Sequence, residues 1–197
     1  MKFRPAAFPL ITVDPYFSVW SCADALYGSA TQHWSGKLCP ILAGVFVGDQ
    51  FYSVSGFDAD GKALKRRIYQ RNVTVTPTST VYRFENHLVT LELTFTTPLL
   101  LDRLDILTRP VSYVSYKIEN KTDQMVRFLF GISARGCVDN RTQRVGLHKT
   151  PYSLACGNVC QSPLAQSGDT VMIDWGYLHL CDRNAMAVRI MDQNGKL

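Results

Sequence analysis

Apolar and polar residues alternate along most of the chain, with the period of two that is typical of β-strands with one buried face. The clearest case is LVTLELTF at residues 88–95, where one face carries Val89, Leu91, Leu93 and Phe95. The segment TVYRFE comes before it, and the polar pair Asn86 and His87 lies between the two. Two alternating runs joined by so short a polar connection predict a β-hairpin.

The same alternation predicts a second hairpin, formed by VSYVSYKIE and MVRFLFGIS and joined by the turn NKTDQ. Further strands are predicted at LAGVFV, QFYSV, NVTVTP, TVMID, GYLHLC and AMAVRIM. No window of a dozen residues has helical spacing. Short strands separated by turn residues predict an all-β fold, namely a large antiparallel β-sandwich.

Two regions depart from this rhythm. Residues 136–167 are rich in turn formers, so we expect a long excursion from the sheet there. At the other end, AMAVRIM is followed by Asn194 and Gly195, a strong hairpin signal, after which only two residues remain. We therefore expect residues 1–197 to form a single β-sandwich domain that is incomplete at its C-terminus.

Composition and charge argue against nucleic acid and membrane as partners of this chain. With 197 residues, 46% hydrophobic and 19% charged, the chain has the composition of a folded globular domain with one sizeable core. The net charge of +5 is scattered, and its only tight cluster, KALKRR, is interpreted as a solvated face. We expect neither a nucleic-acid partner nor a membrane span, because the apolar runs are only as long as strands. Pro5 and Pro9 interrupt the start of the chain, so no signal peptide is predicted.

The six cysteines are compatible with either an oxidising or a reducing compartment. They are too few for a disulfide-built scaffold and lack the paired spacing of a zinc site; they are Cys22, Cys39, Cys137, Cys156, Cys160 and Cys181. Cys156 and Cys160 could form a local bridge in an oxidising compartment. The alternative is that each thiol is buried or idle, since a free cysteine behaves as a small hydrophobe.

The sequence does not contain the common catalytic, calcium-binding or nucleotide-binding motifs. There is no G-x-S-x-G elbow, and the four histidines are isolated in sequence. The segment DADG at residues 58–61 lacks the further carboxylates of a calcium loop and is interpreted as a polar turn. No glycine fingerprint for a nucleotide is present, so no metal and no cofactor is expected. Asp102 with Asp105, or Asp14 with Asp174, could be paired carboxylates, but sequence gives no distance between them.

Aromatic and polar residues are concentrated in DPYFSVWS, QHWSGK and IDWGYLHL. Tyrosine and tryptophan bury a large area and keep a hydrogen-bonding group, which suits packing at a domain interface and also suits contact with a glycan or peptide. Both interpretations apply to the candidate residues of a pocket or domain interface: Asp14, Tyr16, Trp20, His33, Trp34, Asp174 and Trp175.

These motifs also carry a family resemblance. FRPAAFPLITVDPYFSVWS followed by TQHWSGK resembles the start of the glutaminase A family, whose members begin with R-x-P-A-x-P-L-x-x-x-D-P-Y-F-S-x-W-S and continue with H-W-T-G. LLLDRLDILTRPVSY and DWGYLHL are also similar to that family, so the resemblance extends from Phe3 to about Leu180. The chain departs from the pattern at Ser35, where the family more often has threonine.

The resemblance implies an N-terminal β-sandwich domain that is normally followed by a large helical domain of the six-hairpin α/α barrel type. It implies that the complete protein hydrolyses L-glutamine to L-glutamate and ammonia in an extracellular, periplasmic or cell-surface location. Because the helical domain is absent from this sequence, no catalytic residue is transferred, and whether the chain alone is an enzyme stays open. We expect a supporting domain whose partner is the helical domain. The alternative is a carbohydrate-binding or glycoside-hydrolase accessory module with a glycan as partner.

Overall fold

The computed structural model of the chain describes residues 4–56, 64–140 and 142–182. Within these ranges the regular secondary structure is almost entirely β-strand, with one short α-helix, α1 (Leu104–Leu107), and one 3-10 helix (Ala134–Cys137). The strands are β1 (Phe8–Asp14), β2 (Phe17–Ser21), β3 (Ile41–Val47), β4 (Gln50–Ser55), β5 (Tyr69–Val75), β6 (Ser79–Glu85), β7 (Val89–Thr96), β8 (Tyr113–Asn120), β9 (Val126–Ile132), β10 (Val145–Lys149), β11 (Ser153–Asn158) and β12 (Leu178–Cys181).

The strands form antiparallel sheets that pack together. In the described ranges their orders are β5-β6-β7-β8, β4-β3-β9, β10-β11-β12 and the pair β1-β2. The core lies between the inner face of β6 and β7 and the strands β1 to β4. The rings of Phe8 and Tyr82 lie 6.3 Å apart, and those of Phe95 and Phe130 lie 6.4 Å apart, which links the four-stranded sheet to β1 and to β9. The predicted all-β antiparallel sandwich is confirmed.

The hairpin predicted from LVTLELTF is present as β6 and β7. The four apolar side chains of its predicted inner face are at most 1% exposed: Val89, Leu91, Leu93 and Phe95. Asn86 accepts the backbone N–H groups of Leu88 and Val89 on Oδ1, both at 2.9 Å, and so fixes the turn. A strict period of two therefore located both the strand and its buried face.

The second predicted hairpin is wrong, although both of its strands exist. β8 pairs with β7, whereas β9 pairs with β3 in another sheet, so the turn NKTDQ crosses from one sheet to the other. The Tyr116 and Phe128 rings stack 4.1 Å apart, which shows that β8 and β9 face each other without sharing a ladder. Alternation identifies a strand and its inner face, but the same pattern fits a hairpin and a crossing between packed sheets.

One further strand prediction needs correction. TVMID at residues 170–174 is not a strand, because its backbone N–H groups bond to loop atoms and not to a neighbouring strand. The turn-rich stretch at residues 136–167, predicted as an excursion from the sheet, contains β10 and β11, which form with β12 a small sheet separate from the others. The alternation also does not predict β1 and β2.

Several predicted features lie outside the described residues: the strand AMAVRIM, the turn at Asn194 and Gly195, the segment DADG, and Lys62 of the basic cluster. Among the helices of the described ranges, none is long and apolar enough to cross a membrane.

Candidate functional site

The tight turn between β1 and β2 is the foundation of the candidate site. Strand pairing runs up to Asp14 opposite Phe17, so Pro15 and Tyr16 form the connection. Asp14 accepts the backbone N–H of Tyr16 on Oδ1 at 2.7 Å. Proline fixes its own φ and aspartate caps the turn, so the local sequence Asp-Pro-Tyr dictates this geometry. Asp14 therefore has a structural role within the turn.

A second tight loop is formed by residues 33–37. The backbone N–H of His33 donates to the carbonyl of Lys37 at 2.7 Å, and the N–H of Gly36 donates back to the carbonyl of His33 at 2.9 Å. Gly36 has a φ of +88°, a conformation that glycine adopts without steric cost. The sequence His-Trp-Ser-Gly-Lys thus closes a loop that holds two aromatic rings side by side, with His33 and Trp34 centroids 5.4 Å apart.

The two loops meet at one oxygen atom. His33 Nε2 lies 2.9 Å from the carbonyl oxygen of Pro15, and Trp34 Nε1 donates to the same oxygen at 2.7 Å. The burial of the two residues differs sharply, since His33 is 0% exposed and Trp34 is 49% exposed. The motifs DPYF and HWSGK are therefore one structural unit, with a buried imidazole behind a fixed, half-exposed indole.

The tautomer of His33 follows from its other neighbours. The backbone N–H of Ser35 points to Nδ1 at 3.2 Å, and the Ser35 hydroxyl lies 2.7 Å from it. Because a backbone N–H can only donate, Nδ1 is an acceptor and the ring proton is on Nε2, facing Pro15. Burial lowers the pKa of His33, the hydrogen bond to Pro15 opposes this, and the nearby Lys37 charge adds to the lowering. His33 is therefore neutral near pH 7.

Lys37 extends the unit toward the loop that precedes β10. Its Nζ contacts Asp139 Oδ1, and that oxygen also accepts the backbone N–H of Met172 at 2.8 Å. Burial raises the pKa of the Asp139 carboxyl, but hydrogen bonds from Lys37 and Met172, together with the Lys37 charge, outweigh burial and hold this pKa below its usual range. Asp139 is therefore ionised, and its carboxylate connects its own loop to Lys37 and to Met172.

The segment containing Trp175 closes over the first turn. The backbone N–H of Ile173 donates to the carbonyl of Tyr16 at 2.7 Å. The rings of Tyr16 and Trp175 meet edge to face, with centroids 5.6 Å apart and an interplanar angle of 60°. This arrangement explains why TVMID is irregular: its polar backbone groups serve to dock it on the site.

Asp174 faces another direction. It is only 7% exposed, and its Oδ2 accepts from Gln143 Nε2 at 2.6 Å. Gln143 in turn accepts the backbone N–H of Asp139 on Oε1 at 2.6 Å. Asp14 and Asp174 thus have different partners: Asp14 caps its own turn, and Asp174 belongs to the Gln143 network. In the other pair considered, Asp102 and Asp105 are both exposed, and Asp105 is bonded to Arg103.

An open depression of about 400 Å³ adjoins Asp174 and Gln143. Its other walls include Arg144, Asn158 and Cys160. The volume falls in the range of small-molecule sites, and the lining is mainly apolar surface with amide, carboxylate and guanidinium groups among it. The depression therefore offers both hydrogen-bond donors and acceptors, and one of its lining residues, Asp174, directly precedes Trp175 in sequence.

Most of the candidate residues are brought together. The described structure gathers Asp14, Tyr16, His33, Trp34 and Trp175 around the β1–β2 turn, with Asp174 at the adjoining depression. Trp20 is separate, because its indole N–H donates to Ser18 of the same strand at 3.0 Å. Its backbone pairs with Gln32, the residue before His33, so it supports the loop from behind.

Three residues of the network were not predicted: Lys37, Asp139 and Gln143. Lys37 lies inside a motif that the sequence singles out, so its position gave a signal. Asp139 and Gln143 lie in a turn-rich stretch without periodicity, where polar residues are ordinary. Within the described ranges, no three histidine, cysteine, aspartate or glutamate side chains are grouped to hold a metal ion.

Comparison with known families gives two matches. Residues 78–195 match a domain of unknown function, DUF5127, and residues 1–60 match another, DUF4964. The DUF5127 match covers more than half of the chain. The chain belongs to the DUF5127 family. Neither the curated proteins nor the solved structures include a significant match.

The two matched regions build the site jointly. The DUF4964 region contains the Pro15 junction and the loop at residues 33–37, whereas the DUF5127 region contains Asp139, Gln143 and Trp175. The regions also share a sheet, because β3 of the first pairs with β9 of the second. The candidate site therefore lies where the DUF5127 region contacts the DUF4964 region.

Proposed function

We propose that this chain is the N-terminal, non-catalytic supporting domain of a glutaminase A-like amidohydrolase. The complete protein would convert L-glutamine to L-glutamate and ammonia outside the cytoplasm, in an extracellular, periplasmic or cell-surface location. The partner of this domain is a helical domain that carries the chemistry. The opening motifs resemble those of the glutaminase A family, which supports the proposed reaction. The geometry around Pro15 supports a structural, non-catalytic role for this domain.

The observation that carries the proposal is the fixed, half-exposed indole of Trp34. Its N–H is held by Pro15, so the exposed part of the ring has one orientation, set by the domain itself. Rigid aromatic side chains of this kind supply contact area with little loss of side-chain entropy, and they are enriched at the centres of interfaces. Trp34 is therefore suited to contact a second domain.

His33 contributes stiffness to that surface. Both of its ring nitrogens have partners inside the domain, and the ring is completely buried and neutral. A histidine that transfers protons needs access to a substrate atom within hydrogen-bonding distance. His33 fits a structural role, in which its hydrogen bonds connect the loop of residues 33–37 to the β1–β2 turn.

The proposal is tested by measuring ammonia release from L-glutamine for two purified proteins. One is the chain of residues 1–197, and the other is the chain joined to the sequence that follows it in its gene. We expect hydrolysis by the longer protein only. Hydrolysis by the isolated chain would contradict the supporting role, and a stop codon directly after Leu197 would contradict the partnership.

A matched pair of variants in the longer protein tests the role of Trp34. Trp34→Ala should lower glutamine hydrolysis several-fold, because an interface anchor is lost, while the melting temperature of the isolated domain changes little. Tyr69→Ala removes a ring that is 59% exposed on β5, and it should leave activity unchanged. Equal effects of the two substitutions would argue against an interface at Trp34.

A second candidate function is carbohydrate binding, and the depression beside Asp174 favours it. Amide, carboxylate and guanidinium groups line it, and such groups hydrogen-bond sugar hydroxyls. Affinity electrophoresis of the isolated chain in gels that contain soluble polysaccharides tests this function. Retardation that Arg144→Ala abolishes would support glycan binding, and unchanged mobility in every gel would exclude it for the polysaccharides used.

A further inference from the structure

Two thiols from distant parts of the chain lie in contact. Cys137 ends the 3-10 helix that follows β9, and Cys156 lies in β11, the central strand of the small sheet. Their Sγ atoms are 3.4 Å apart although the residues are 19 positions apart in sequence. The pair therefore connects the segment that follows β9 to the sheet β10-β11-β12.

We propose that Cys137 and Cys156 are an oxidisable dithiol, and that their disulfide fastens the small sheet to the end of β9. A disulfide has an S–S bond of about 2.05 Å, so the sulfur atoms must approach by roughly 1.4 Å. Movements of this size are available to side chains without rebuilding the strands. The inference is independent of the proposed glutaminase partnership, because it concerns only groups inside this domain.

The surroundings distinguish the roles of the two sulfur atoms. Cys156 is partly exposed, whereas Cys137 is 5% exposed. The hydrogen bond between them lowers the pKa of Cys156 and, with burial, raises the pKa of Cys137. Because Cys156 is the more exposed of the two and its pKa is lowered, it is the thiol that a dissolved oxidant reaches and that ionises more easily.

Oxidation by a small-molecule disulfide such as oxidised glutathione balances in two steps. The Cys156 thiolate attacks one glutathione sulfur, which forms a mixed disulfide and releases one glutathione thiolate. Cys137 then loses its proton and attacks the Cys156 sulfur, which releases the second glutathione. The two protein thiols have given up two electrons and two protons and become one protein disulfide, and one molecule of oxidised glutathione has become two molecules of reduced glutathione.

The other cysteines fit this role less well. Cys39 is fully buried, and burial raises its pKa to about 12, so it is not ionised under ordinary conditions. Cys160, the partner considered from sequence, is exposed, and the contact that the structure gives Cys156 is with Cys137. Spacing of four residues suggested a local bridge, but the fold brings a more distant thiol closer.

The test is disulfide mapping of the purified chain after incubation in buffers of reduced and oxidised glutathione. Under oxidising conditions we expect a cross-link between the peptides that contain Cys137 and Cys156, with a mass loss of about 2 Da for two hydrogens. We also expect the melting temperature to rise by about 5–10 °C, as for a disulfide that closes a loop of this length in a domain of this size. Reduction should reverse both changes.

Variants provide the controls. Cys160→Ser should retain the cross-link and the rise in melting temperature, whereas Cys137→Ser should lose both. Mapping of the unsubstituted chain does not depend on whether a variant folds. A bridge between Cys156 and Cys160, or alkylation of both Cys137 and Cys156 after full equilibration with oxidised glutathione, would overturn the proposal.

Discussion

The imidazole of His33 and the backbone carbonyl of Pro15 are joined by a 2.9 Å hydrogen bond that spans 18 residues of sequence. Because Trp34 donates to the same oxygen, one carbonyl organises two aromatic side chains with opposite exposure. This relationship turns two short motifs into a single rigid surface.

The first prediction concerns the titration of His33. Its pKa is lowered by burial, so the unfolded chain binds more protons than the folded chain between the folded-state pKa and 6.5. The free energy of unfolding should therefore decrease as the pH falls below about 6.5, and this loss is complete below the folded-state pKa. NMR titration of the histidine Cε1 protons measures the pKa directly. A His33 pKa at or above 6.5 would contradict burial as the dominant influence on this imidazole.

A substitution links that titration to stability. His33→Gln should remove the part of the pH dependence that begins near pH 6.5, while lowering stability at pH 7 by about 1–3 kcal/mol because buried partners lose hydrogen bonds. His87→Gln, at an exposed turn, is the matched control and should change neither. Urea denaturation of the three proteins at several pH values makes the comparison.

Asp139 should produce a second and more acidic transition. Its pKa is lowered in the folded state, so its stabilising contribution is present above its ordinary pKa of about 3.8 and disappears as the pH falls through the folded-state value. Asp139→Asn should lower stability at pH 7 by about 1–3 kcal/mol, because Lys37 loses its charged partner. The variant should also be less sensitive to acid below pH 4. An unchanged acid limb in urea titrations would show that Asp139 is not ionised in this network.

Gln143 should be sensitive to the loss of a single N–H donor. Gln143→Glu keeps the shape but places a second carboxylate within 2.6 Å of Asp174 at neutral pH. We expect destabilisation by about 1–3 kcal/mol at pH 7, relieved as the pH falls and one carboxyl becomes protonated. Gln166→Glu, on the exposed rim of the same depression, is the control and should have an effect within about 0.5 kcal/mol. If both variants melt alike at pH 7, the Gln143 network does not stabilise the fold.

Gly36 tests the shape of the loop at residues 33–37. Its φ of +88° disfavours any other L-residue, so Gly36→Ala should cost about 1–2 kcal/mol. The cause is backbone strain alone, because an added Cβ would meet no atom within 4 Å. Gly131→Ala in β9 is the control, since its Cβ would make only ordinary contact at 4.0 Å with Leu42. Equal melting temperatures for the two variants would be inconsistent with the loop geometry.

Sequence pattern predicted the strands better than their partners. The inner face of β7 follows from strict alternation, and burial of all four residues agrees with it. The pairing of β8 with β7 and of β9 with β3 could not be derived, because the preference of a strand for one neighbour over another depends on long-range packing. β1 contains Pro9 and pairs with bulges, which interrupts the periodic signal.

The candidate site was found through residue chemistry, and its connections were not. Aromatic and polar residues pointed to Tyr16, His33, Trp34 and Trp175, which the fold does bring together. The shared acceptor is the backbone carbonyl oxygen of Pro15, so the type of side chain at this position could not predict the interaction. Gln143 and Asp139 act through contacts with residues about 30 positions away, which composition cannot reveal.

In the proposed supporting role, Trp34 presents a fixed contact surface for a second domain. The most direct measurement is hydroxyl-radical footprinting with mass spectrometry, comparing Trp34 in the isolated chain and in the chain joined to its downstream sequence. Trp34 is 49% exposed in the isolated domain, so its oxidation should be rapid there and at least several-fold slower in the longer protein, while Tyr69 reacts equally in both. Equal oxidation rates for Trp34 in the two proteins would contradict the claim.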